Sequence, residues 1–233
     1  MSETAVALTD YGLVAECGAF VAWLTRGAPP SVERDLWRVF LGATGLAALT
    51  GGTYHAFFPG TSTGVGEAIW IATLLAIGAA AAAALLLAES LRHPPTSPPG
   101  VPPPPGGPPV PRRAALDPVS HRSIRAIAAG AVVVYLLLVA FVTRAFLLAV
   151  AFYLPAALFW LWMLVAEQRR FRDRASLLGV IGLVLSFVAA GVQTAHVSIA
   201  ATHLDSNSLY HLIQAAGLLL LFLCARGQLA HSA

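Results

Sequence analysis

Ten side chains able to ligate metal, move protons or hold a polar ligand fall at a restricted set of positions: Asp10, His55, Glu67, Gln193, His196, His203, Asp205, Asn207, His211 and Gln214. Five of them crowd into one stretch, "HLDSNSLYHLIQ", from His203 to Gln214, at the mouth of a long apolar run. Asn207, His211 and Gln214 follow one another at i, i+4 and i+7, which puts all three on one face of a helix. Imidazoles and carboxylates that meet in a low-dielectric pocket are natural zinc ligands. A zinc ion held that way lowers the pKa of its bound water toward about 7 and supplies hydroxide for hydrolysis. On that chemistry His55, His211, Asp205 and His203 are candidate metal ligands, and Asp10 and Glu67 are candidate catalytic carboxylates. Asp10 or Asp205 would also fix the tautomer of an imidazole. Asn207, Gln214, Gln193 and His196 are candidate pocket residues. The competing reading is that these groups hydrogen-bond between helices or face solvent, and it weighs most on His203, Asp205 and His196.

The elements that must position these groups follow from composition. Hydrophobic residues make up 58% of the 233 and charged residues 11%, with mean hydropathy +0.75. A soluble domain would carry about 25% charge, so the chain is expected to be an all-α integral membrane protein. A crossing helix needs roughly 20 apolar residues. Seven stretches qualify, at about 6–24, 39–58, 68–88, 126–142, 145–166, 177–195 and 207–225. They predict a single seven-transmembrane-helix bundle over residues 1–233. No basic n-region or cleavage site precedes Arg26, so the first stretch is expected to be a retained helix. Residues 93–112 carry most of the chain's 16 prolines and predict an extended linker. Cys17 and Cys224 lie in apolar runs and are expected to be buried thiols without a disulfide.

All 14 basic residues counted as lysine or arginine are arginines. All but Arg144 fall in loops that alternate to one side of the seven stretches. The positive-inside rule makes those loops cytoplasmic, with the N-terminus outside and the C-terminus inside. Arginines scattered in this way are topology signals rather than a nucleic-acid patch, so no nucleic-acid partner is expected. Membrane lipids are the expected surroundings, in the inner membrane of a cell.

Orientation gathers the ten side chains at one membrane face. Asp10 and His55 fall at the outer ends of the first and second helices, and Glu67 opens the third. Gln193 and His196 close the sixth, and His203 to Gln214 lead into the seventh. The face of His55 also carries Gly51, Gly52, Ala48 and Thr44, small enough to let a neighbouring helix approach closely. Glu16 sits six residues beyond Asp10, about 9 Å deeper, and is expected to be a buried carboxyl or a proton relay.

Seven helices with this orientation and histidines in the second and seventh resemble the alkaline ceramidase and adiponectin/progestin-receptor superfamily. That resemblance implies an intramembrane zinc and cleavage of lipid amides. Its pattern is a serine and a histidine one turn apart in helix two, an aspartate opening helix three, and two histidines one turn apart in helix seven. His55 matches the helix-two histidine and His211 the second of helix seven. Gly51 stands at the serine position, Asn207 at the first helix-seven histidine, and Glu67 is the available helix-three acid. "NSLYHLIQ" is similar to the last helix of bacterial membrane proteins of uncharacterised function. The leading expectation is therefore a zinc-dependent lipid amide hydrolase. The alternative is a non-catalytic membrane receptor, sensor or lipid-binding protein using the same pocket. A haem protein with His55 and His211 as axial ligands ranks third, and a transporter, for want of an inverted repeat, ranks last.

Overall fold

A computed structural model describes residues 3–60, 63–92, 118–198 and 205–231. These form seven helices and no strand: α1 (Glu3–Gly27), α2 (Val32–Phe57), α3 (Gly64–Ser90), α4 (Pro118–Phe141), α5 (Phe146–Phe171), α6 (Arg174–Thr194) and α7 (Ser206–His231). Each expected stretch coincides with one helix, and most helices run further than the apolar stretch that announced them. Hydropathy marks only the part of a helix suited to hydrocarbon, whereas hydrogen bonding carries the helix on until a cap ends it. Ser31, Thr63 and Asp173 accept backbone N–H bonds as N-caps of α2, α3 and α6. Asp205 does the same ahead of α7, its Oδ1 accepting from the Ser208 amide at 2.8 Å. The proline-rich linker expected at 93–112 lies outside the described residues, as does His203.

Five of the helices, α1, α3, α5, α6 and α7, are long and apolar enough to cross a membrane, the pattern of a multi-pass membrane protein. The helix α2 opens with Glu33, Arg34, Asp35 and Arg38 and continues through a glycine- and threonine-rich middle, which lowers its hydropathy. The described apolar part of α4 is shorter, Ala129–Phe141.

Neighbouring helices close into a ring in the order α1, α2, α3, α5, α6, α7 and back to α1, with α4 packed outside against α3 and α5. Small residues set the tightest joints. A Cβ on Gly45 would lie 2.9 Å from the Cys17 Cβ, and one on Gly52 would lie 2.7 Å from the Asp10 Cβ. The neighbour that approaches the small-residue face of α2 is therefore α1. Gly182 and Gly217 do the same for α6 and α7, where a Cβ on either would meet the other's carbonyl oxygen at 2.8–2.9 Å. In the absence of water, van der Waals packing of this kind replaces the hydrophobic drive that joins soluble helices. Outside the ring, the Tyr135 ring of α4 packs on Gly78 and its hydroxyl donates to the Leu74 carbonyl at 2.7 Å. The opposite face of α4, with Val133, Val134 and Leu137, is exposed and apolar, suited to lipid.

One end of the ring is filled with aromatic side chains. Trp160 of α5 lies 5.1 Å, centroid to centroid, from both Trp37 and Phe40 of α2. Phe20 of α1 stacks on Phe222 of α7 at 4.2 Å. Such pairs contribute about 0.5–1.5 kcal/mol each beyond the area they bury. Cys17 and Cys224 belong to this core as free buried thiols. The other end of the ring is not filled.

Candidate functional site

At that other end the six ring helices line a half-open cavity of about 390 Å³. Each ring helix contributes wall residues, and the described side chains of α4 contribute none. The helix ends that meet here are fixed by cross-helix bonds. Thr73 Oγ1 of α3 donates to Thr50 Oγ1 of α2 at 2.9 Å. Gln193 Nε2 of α6 donates to Asn207 Oδ1 of α7 at 2.9 Å. Trp70 Nε1 of α3 donates to the Arg144 carbonyl between α4 and α5 at 2.8 Å.

The central polar contact joins α1 and α7. His211 Nε2 lies 3.3 Å from Asp10 Oδ1, and the two side chains are only 11% and 6% exposed. On the far side of the imidazole, Nδ1 lies 2.9 Å from Thr9 Oγ1. The Thr9 hydroxyl is also 2.8 Å from the Val6 carbonyl, so it accepts from a protonated Nδ1 or donates to an unprotonated one, as the tautomer of His211 dictates. Where Nδ1 carries a proton, Nε2 and Asp10 Oδ1 share one more, and the pair as a whole is then neutral, the arrangement that burial favours. The second carboxylate oxygen of Asp10 is buried without a hydrogen-bond partner. It lies toward Gly52, whose missing side chain makes the room.

Of the ten side chains named from the sequence, the cavity wall brings together six: Asp10, His55, Gln193, Asn207, His211 and Gln214. Three others stand apart from it. Glu67 is half-exposed and ion-paired with Arg144, so the one arginine on the unexpected side of the chain is neutralised there. Asp205 is the α7 N-cap, which commits one of its oxygens to a backbone amide. His196 is exposed at φ 53°, the left-handed residue that ends α6. Its N–H bonds the Gln193 carbonyl at 3.1 Å and that of Val197 the Val192 carbonyl at 3.1 Å, the two bonds of a Schellman motif. Glu16 is partly buried on α1 and is not part of the wall.

A catalytic zinc needs three protein donors and an open position. Among the described residues no group of three His, Cys, Asp or Glu side chains stands close enough to hold a metal ion. His211 and Asp10 make two, and Thr9 engages the other imidazole nitrogen. The described donor set therefore falls short of the zinc site expected from the sequence.

Sequence reasoning passed over four wall or wall-supporting residues: Thr9, Thr73, Tyr153 and Tyr210. Thr9 carries a usable signal, since it precedes Asp10 and a threonine in a membrane helix bonds its own carbonyls and neighbouring polar groups. Tyr153 and Tyr210 look like ordinary apolar positions until the ring closes around them.

A family model described as Family of unknown function (DUF6962) matches residues 5–97 and 112–230. The chain belongs to that family. No curated protein and no solved structure matches it. The match spans both sides of the proline-rich stretch, so the six ring helices that build the cavity all fall within what the family shares.

Proposed function

We propose that this chain is a seven-span membrane protein, N-terminus outside and C-terminus cytoplasmic, that binds a small amphipathic molecule in the chamber at the outer end of its helix ring. The observation that carries this is the chamber itself. Six helices close around about 390 Å³, room for roughly a dozen water- or methylene-sized groups at about 30 Å³ each. Its wall is mostly apolar, with Asp10, His55, His211, Asn207 and Gln214 among its polar members, the mixture typical of small-molecule sites. A membrane lipid or a molecule dissolved in the bilayer is the natural source of such a ligand, and the inner membrane of a cell is the proposed location.

Bound ligand should be recoverable by gentle detergent purification and mass spectrometry. Ala190 lines the chamber, and Ala190→Phe would fill part of it. We expect an amphiphile on the unaltered protein and its loss from the folded variant. Recovery of equal amounts from both would refute a chamber-bound ligand.

A second reading, the zinc-dependent lipid amide hydrolase implied by the resemblance to the alkaline ceramidase and adiponectin/progestin-receptor superfamily, has one supporting observation: His55 and His211 line the same cavity. It requires a third donor beyond those two. Elemental analysis decides it, since about one zinc per chain, lost in His211→Ala, would favour the hydrolase, and its absence would leave the binding protein.

A further inference from the structure

Resting on the chamber reading above, we propose that the ligand's head is uncharged, a hydroxyl or similar group that both donates and accepts hydrogen bonds, on a single aliphatic chain. Charge on the wall argues first. Among the described residues no arginine, lysine or glutamate lines the chamber. The one carboxylate among those residues, Asp10, is already matched by His211 at 3.3 Å. An anionic head would find the imidazoles of His55 and His211 but no guanidinium or ammonium, and a cationic head would have to compete with His211 for Asp10, whose other oxygen is buried beside Gly52. Burying an unpaired ion costs several kcal/mol even after relaxation, far more than burying a neutral polar group that finds its hydrogen bonds.

Unused hydrogen-bonding capacity argues second. Gln214 lines the chamber, is only 8% exposed, and its amide has no hydrogen-bond partner among the described residues. A primary amide offers two donors and an acceptor, and a buried amide left unpaired is costly. The hydroxyls of Tyr153 and Tyr210, also on the wall, are likewise without partners among the described residues. One amide and two phenols present donors and acceptors together and no net charge, which is the complement of an alcohol-like head. Leu13, Ile77, Ala80 and Leu183 give the wall an aliphatic stretch beside the aromatic Trp70, Phe146 and Phe187, which suits a saturated chain.

Three chain-matched probes separate the possibilities: ω-brominated dodecanol, dodecylamine and dodecanoate, the second cationic and the third anionic at neutral pH. Bromine quenches indole fluorescence on contact, and Trp70 lines the chamber. Full-length protein in lipid nanodiscs is titrated with each probe, and the Trp70→Phe variant supplies the quenching caused by partition into the bilayer alone. We expect saturable, Trp70-dependent quenching by the alcohol at a concentration at least tenfold below that of the amine or the acid. Gln214→Leu and Tyr210→Phe should each weaken the alcohol several-fold and leave the two charged probes unchanged. Equal or tighter binding of either charged probe would overturn the neutral-head inference and leave the chamber reading standing. Alcohol binding unaffected in both variants would overturn the assignment of those groups as the head-binding site. Absence of saturable quenching by any of the three would overturn the chamber reading itself.

Discussion

Gly51 and Gly52 are adjacent on α2, yet the structure gives them opposite responses to the same added methyl group. A Cβ on Gly52 would stand 2.7 Å from the Asp10 Cβ and 3.4 Å from its Cγ. Ordinary carbon–carbon contact is about 3.5–4.0 Å, so α1 and α2 must part by about 1 Å at this joint. Overpacking of this kind costs about 1–3 kcal/mol, offset by the roughly 0.5–1 kcal/mol that alanine gains over glycine in a helix. The net for Gly52→Ala is a loss of up to about 2.5 kcal/mol. On Gly51 the nearest atom to an added Cβ is Thr73 Cγ2 at 3.7 Å, ordinary contact. Gly51→Ala therefore keeps the helix gain and should stabilise by about 0.5–1 kcal/mol. At about 2–4 °C per kcal/mol for a chain of this size, Gly52→Ala should melt up to about 10 °C lower and Gly51→Ala about 1–4 °C higher. Intrinsic-fluorescence melts of the two variants in one detergent provide the assay. The same movement displaces Asp10 relative to His211, so Gly52→Ala should also weaken ligand binding. A Gly52→Ala variant as stable as Gly51→Ala would refute the close approach of α1 and α2, and with it the account of how Asp10 is held.

His196→Gly should stabilise the protein by up to about 1 kcal/mol, because glycine enters the left-handed region at φ 53° without the steric cost borne by a side chain. Ligand binding should not change, and a loss of binding would return His196 to the functional site. Asp35, in the first turn of α2 and outside the apolar stretch expected at 39–58, accepts hydrogen bonds from Arg34 and Arg38, each at 3.0 Å. Those guanidinium groups hold its carboxyl below the ordinary value of 3.8. A lowered folded-state pKa contributes stability that is present above the unfolded value and lost as pH falls through the folded one. Asp35→Asn should therefore flatten the acid limb of the stability curve below about pH 4 and have little effect at pH 7 in high salt, where an exposed pair is screened. A steeper acid limb in the variant would contradict the pairing.

Much of this protein is legible in the order of its residues. Hydropathy alone separates the seven helices, since each must carry its own run of apolar side chains and be broken by polar or proline-rich sequence before the next. The concentration of polar side chains at alternate helix ends likewise points to one end of the bundle, because up-and-down connectivity puts those ends together. Even the small-residue face of α2 announces a close neighbour. The identity of that neighbour is different in kind. That Gly52 receives Asp10, that His211 turns one nitrogen to Asp10 and the other to Thr9, and that Glu67 is drawn off by Arg144 all depend on helix rotation and on contacts between residues as many as 202 positions apart. Local chemistry also competes for the same side chains. Asp205 and His196 are residue types suited to a metal site, but at helix ends one serves as a cap and the other as a left-handed terminator. Sequence determined which groups gather at the polar end of the bundle. Tertiary structure decided which of them face the chamber, because a chamber exists only once six helices have closed around it.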